Sequence, residues 1–161
     1  MEQIYCGDVK FAGKTDNLSL HKIKNDERFD NLSRVYVIVG DDKNNLALIY
    51  NSKREMWGFP GGHSEEGESV KETAERECAE EINYTVTNIE QKYAFSYKSG
   101  DKEQIHVLCF AKLGEEEHET FDEDESVSEV KFIPISEVAG KIDCGKIWKD
   151  IINEYKNWNK Q

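Results

Sequence analysis

The stretch from Ser69 to Asn83 constrains the fold most, because it carries both ends and the buried face of one helix. Ser69 followed by Glu72 is an S-x-x-E capping box, in which side chain and backbone satisfy each other at a helix start. Asn83 is the next best residue after glycine for the left-handed position that ends a helix. At about 100° per residue, Val70, Ala74, Cys78 and Ile82 fall on one apolar stripe, since a free cysteine behaves as a small hydrophobe. Glu77 and Glu81 project beside that stripe, with Glu80 about a quarter-turn further round. Such neighbours repel by about a few tenths of a kcal/mol per pair. Taken alone, three glutamates on an acidic chain read as a solvated face; the other reading places a cation among them. Hard divalent cations such as Mg²⁺ take oxygen ligands and share them between carboxylates, water and phosphates.

The wider spacing favours the cation. Gly62 is followed after five residues by Glu68, after seven more by Arg76-Glu77, and after another two by Glu80-Glu81. This resembles the Nudix box, G-x5-E-x7-R-E-U-x-E-E-x-G-U, where U is a bulky aliphatic residue. Cys78 and Tyr84 depart from it at aliphatic positions and Asn83 at the glycine, although Cys78 stays apolar and Asn83 keeps the backbone role. Upstream, Trp57-Gly58-Phe59-Pro60-Gly61-Gly62 is similar to the W-x-F/L-P-G-G approach of many Nudix hydrolases, and Glu65 falls where the family often carries an acid.

Elsewhere the pattern is that of a mixed domain. Residues 34–40 are β-branched and almost continuously apolar, as in a strand buried on both faces. Residues 46–50 read as the returning strand of a hairpin. Segments 87–97 and 104–112 read as a second hairpin around the Ser99-Gly100-Asp101-Lys102 turn. A dense acidic run fills 115–125, a strand covers 128–135, and Ser136 is a candidate cap for a short helix. Ile147, Trp148, Ile151, Ile152 and Tyr155 recur at helical spacing and predict a C-terminal amphipathic helix. Residues 1–32 are polar and mixed, with short strands expected near 3–5 and 18–22, and read as an extension packed on a domain spanning 33–161.

At 161 residues the chain suits one domain with a sizeable core. Its net charge of −12 disfavours nucleic-acid polymers and anionic membranes as partners, and no apolar stretch is long enough to span a bilayer. Cys6, Cys78, Cys109 and Cys144 lack disulfide or zinc-ligand spacing, which suits reduced thiols in the cytoplasm.

The resemblance implies an α/β/α sandwich, a mixed β-sheet between helices, in a monomer or homodimer. It implies a MutT-like hydrolase that uses Mg²⁺ or Mn²⁺ to cleave a nucleoside diphosphate linked to another group, with a nucleoside triphosphate, such as an oxidised purine nucleotide, as the small-molecule substrate. Glu77 and Glu81 are then metal ligands, Glu80 a ligand or water-orienting base, and Gly61 a carbonyl ligand. Glu68 and Arg76 form a pair that aims Glu77, and Glu125 is a candidate base or ligand. Tyr93, Phe95 and Tyr97 alternate along one strand face, where they either stack a base or fill the core. A catalytically silent domain that binds a nucleotide or a protein partner is the alternative, against which all the box carboxylates stand.

Overall fold

The computed structural model describes residues 1–117 and 126–161. The polar N-terminal segment forms one long hairpin, where short strands near 3–5 and 18–22 were expected. β1 (Glu2–Phe11) and β2 (Lys14–Lys22) pair from Glu2↔Lys22 to Phe11↔Lys14. The two residues between them, Ala12 (φ 50°) and Gly13 (φ 73°), are both left-handed, as a tight hairpin turn requires. Asn-Gly is the usual signal for such a turn, and Ala-Gly conceals it. Val9, Leu18 and Leu20 anchor the hairpin in the core.

β3 (Leu32–Gly40) is the central strand. Val35, Val37 and Val39 face one layer while Ile38 faces the other, all fully buried. The expected hairpin with β4 (Asn45–Asn51) shrinks to a single rung, Gly40↔Leu46. Beyond that rung β3 takes β6 (Gly61–His63) as its neighbour, while β4 pairs with β5 (Met56–Gly58) and β9 (Val127–Pro134). This splaying lets the loop at Pro60 tuck in, with Val37 N–H donating to Pro60 C=O at 2.8 Å. β7 (Tyr84–Ser99) and β8 (Lys102–Glu116) form the second hairpin, longer at both ends than the sequence pattern suggests. β8 runs parallel to β3, and the main path through the mixed sheet is β1-β2-β7-β8-β3-β4-β5.

Among the described residues, three helices cover the sheet. α1 (Val70–Ile82) packs the stripe of Val70, Ala74, Cys78 and Ile82 on the valines of β3. On the opposite face lie α2 (Ile135–Ile142) and α3 (Lys146–Trp158), which buries Trp148, Ile151, Ile152, Tyr155 and Trp158. Each such side chain contributes about 1.5–3 kcal/mol by leaving water. The Tyr155 hydroxyl donates to the Ala111 carbonyl at 2.7 Å, so its polar tip is satisfied inside. Ser136 does not cap α2. The helix starts two residues earlier than such a cap would set, with Pro134 at the cap position and Ile135 N–H donating to Asn44 C=O. The result is a mixed sheet between helical layers, an α/β/α sandwich. Among the described residues no helix is long and apolar enough to cross a membrane.

Candidate active site

Local sequence sets the direction of α1. Ser69 Oγ accepts from Glu72 N–H at 3.2 Å, Glu72 Oε2 accepts from Ser69 N–H at 2.7 Å, and Asn83 ends the helix at φ 61°. This phase turns Glu77 and Glu81 inward, where both are buried, and leaves Glu80 half-buried beside them.

Arg76 binds the cluster together. Its Nε donates to Glu68 Oε1 at 2.6 Å and Nη2 to Glu68 Oε2 at 3.0 Å, a two-pronged pairing. Nη1 reaches Glu77 Oε1 at 3.0 Å and Glu80 Oε2 at 3.3 Å, and Nη2 also donates to the His63 carbonyl at 2.8 Å. Glu68 accepts further bonds from the Thr73 hydroxyl and Glu65 N–H, both at 2.9 Å. The Arg76 hydrogen bond, foremost among these, holds the Glu68 carboxyl at about 2. Glu77 moves the opposite way: burial outweighs Arg76 and raises it above the usual carboxylate value.

The two glycines are spatial requirements. Gly62 lies so close to Glu77 that an added Cβ would sit 2.5 Å from Oε1. Gly61 holds φ 152°, and a Cβ there would meet the Val35 carbonyl at 2.2 Å. Its N–H donates to Glu81 Oε1 at 2.8 Å. The 57–62 loop thus brings backbone directly against the carboxylates.

These groups lie at one end of a cleft of about 800 Å³. In a chain of net charge −12 its lining is balanced: Lys14, Arg34, Lys53, Arg54 and Arg76 face Asp16, Glu65, Glu77, Glu80 and Glu81. Arg34 Nη2 lies 2.8 Å from His63 Nε2. Burial, then the Arg34 charge, lowers the His63 value, so its neutral ring accepts that bond. Cations gathered beside a carboxylate cluster suit a ligand that is itself strongly anionic.

Several expected residues fall elsewhere. Tyr93, Phe95 and Tyr97 do share a strand face, but α3 covers the first two. Phe95 stacks on Trp148 at 5.2 Å and Tyr93 donates to Glu154, so neither lines the cleft. Tyr97 lies beyond α3 and does line it. Glu125 lies outside the described residues. Arg34, Lys53, Arg54, His63 and His106 of the lining were missed. For His106 a signal existed, because it interrupts the apolar alternation of β8; for the cations, nothing marked them among the other Lys and Arg residues.

All-oxygen donors, buried and in excess over one arginine, match a hard divalent cation. Among the described residues no three His, Cys, Asp or Glu side chains already converge as a cation cage, and Arg76 partly neutralises the cluster in their stead.

Residues 30–153 match the model of the NUDIX domain. A nucleoside triphosphate pyrophosphatase/Nudix hydrolase fusion protein of Bifidobacterium longum is 35% identical over 92 residues, covering 57% of this chain and 19% of that protein. YvcI, an uncharacterized Nudix hydrolase of Bacillus subtilis, is 37% identical over 67 residues, covering 40% of this chain and 41% of its own. The chain therefore spans less than half the length of either relative. Among solved structures, the Bacillus subtilis pyrophosphohydrolase BsRppH superposes with a TM-score of 0.64 at 19% identity, over 87% of this chain and 90% of that one. With Arg76, Glu77, Glu80 and Glu81 gathered on α1 and a family match over most of its length, the chain belongs to the NUDIX domain family.

Proposed function

We propose that the chain is a metal-dependent pyrophosphohydrolase that cleaves a nucleoside diphosphate linked to another group by attack of water on phosphorus. The observation that carries this reading is the juxtaposition of a buried glutamate cluster with Arg34, Lys53 and Arg54 in one cleft. A nucleoside triphosphate is the substrate the reading favours, an oxidised purine nucleotide among the candidates.

In this reading Glu77, Glu81 and the Gly61 carbonyl hold Mg²⁺ or Mn²⁺, and Glu80 is either a further ligand or the group that orients water. When bound, the cation withdraws charge from phosphate oxygens and lowers the pKa of bound water. Glu68 contributes through Arg76: the two-pronged pair fixes the guanidinium, whose remaining N–H groups orient Glu77 and Glu80. Arg34, braced by His63, and Lys53 with Arg54 receive the phosphates. The burial that raises Glu77 is the same burial that strengthens its attraction to a cation.

The test is phosphate or pyrophosphate release from canonical and oxidised nucleoside triphosphates, ADP-ribose, nucleotide sugars and diadenosine polyphosphates. Each is assayed with Mg²⁺, with Mn²⁺ and with chelator. Release that requires metal is the expected result. Absence of release from every compound would favour a domain that binds without turnover.

A further inference from the structure

Four strands lay an apolar row against α3, and each row ends in a polar residue at the cleft. On β2 the row runs Leu20, Leu18, Asp16; on β7 it runs Tyr93, Phe95, Tyr97; on β8, Phe110, Leu108, His106; on β3, Ile38, Tyr36, Arg34. Residues two apart share a sheet face, so the polar ends stand on the core side, past the cover of α3. The register sets Arg34 and Phe95 opposite His106, and Asp16, an exposed residue further along β2, lines the same cleft as Tyr97 and His106. The Tyr97 and His106 rings lie 4.6 Å apart, and Tyr36 lies 6.0 Å from His106. Polar residues at the inward positions of four neighbouring strands break the pattern that builds the rest of the core, and such breaks concentrate at functional sites.

His106 adds a second observation. Its Nε2 is buried and has no hydrogen-bond partner among the described residues, a costly state unless a ligand supplies one. Burial, then Arg34, lowers the ring to about 4, so near pH 7 it is neutral, with one nitrogen donating and one accepting. Asp16 offers acceptors only. Phe11, 4.8 Å from the Trp148 ring, adds an aromatic wall from the same hairpin. Phe11 and Asp16 both precede residues 30–153, the part matched by the family model.

Resting on the hydrolase reading above, we propose that Asp16, Tyr97 and His106 form the nucleobase subsite and select guanine. Guanine presents two adjacent N–H donors to the Asp16 carboxylate and a carbonyl oxygen to His106. Adenine and cytosine present one amino group beside a bare acceptor nitrogen, which a carboxylate repels. The N-terminal hairpin thus acts as the specificity wall of the cleft.

Isothermal titration calorimetry of guanosine, inosine, adenosine and cytidine 5′-monophosphates in chelator reads base recognition without turnover. Guanosine monophosphate binds tightest, by about tenfold or more over adenosine and cytidine, and inosine, lacking the 2-amino group, falls between. Asp16→Asn removes the preference, and His106→Phe, which has no N–H to donate, weakens guanosine and inosine monophosphates together. Equal affinities, no binding of any base, or a guanine preference that survives Asp16→Asn would each overturn the assignment. The hydrolase reading fails separately. Base preference without metal-dependent release refutes that reading alone, and release without base preference refutes only the subsite.

Discussion

Replacing Arg76 by lysine removes the centre of the site while keeping its charge. Five hydrogen bonds from one guanidinium hold Glu68, Glu77, Glu80 and the His63 carbonyl, and an ammonium cannot reproduce that fork. The Glu68 value offers a measure of the loss. A carboxyl moved from 4.5 to about 2 corresponds to about 3 kcal/mol before screening. Water in the cleft reduces this to about 1–2 kcal/mol. A depressed carboxylate stabilises the fold fully above its unfolded value, and that stabilisation is lost as pH falls from about 4.5 toward 2. Arg76→Lys therefore melts about 2–8 °C lower than the parent at pH 7, and the gap narrows as pH drops through that window. Circular dichroism melts in chelator at pH 7, 5 and 3 measure both. A gap that is absent at pH 7, or the same at pH 3, would refute the Glu68–Arg76 account.

Gly62→Ala places a methyl 2.5 Å from Glu77 Oε1, the far end of a side chain that can swing away. The fold therefore persists with a near-parental melting temperature while kcat falls about 100-fold, the cost of a misplaced group near the reaction. Ser69→Ala loses one half of the capping box and costs about 1 kcal/mol in a urea titration; no change would mean that tertiary packing alone sets the start of α1. His106 is neutral in the fold with a value of about 4, whereas an unfolded histidine takes its proton near 6.5. Stability therefore falls as pH drops between those values, by about 1–2 kcal/mol after screening, and His106→Gln flattens the dependence of the urea midpoint over pH 7 to 4.

The helix of the site was legible because its signals are local. Ser69, Glu72 and Asn83 act within a turn of their own positions, and the stripe from Val70 to Ile82 needs only a generic sheet to pack on. The Arg76–Glu68 pair was legible through the spacing of the box. What escaped depends on partners distant in sequence. The β1–β2 hairpin buries little of β1 and turns through Ala12-Gly13, so neither alternation nor turn chemistry announced it. The 34–50 hairpin is cut to one rung because the 57–62 loop competes for the edge of β3, and Pro60 and Gly61 take the rest of it. Tyr93, Phe95 and Tyr97 look alike along the strand, and only the length and placement of α3 separate two core residues from one in the cleft.

The central claim, that the charge on the box glutamates drives hydrolysis, is tested most directly by Glu81→Gln. Glutamine retains a carbonyl oxygen for the Gly61 N–H, now 2.8 Å from Oε1, while an amide replaces the second carboxylate oxygen and the negative charge is lost. With the best substrate and saturating Mg²⁺, kcat is expected to fall about 100-fold or more while the melting temperature in chelator stays within a few degrees of the parent. A variant that turns over within about threefold of the parent would contradict the metal assignment and the proposed function built on it.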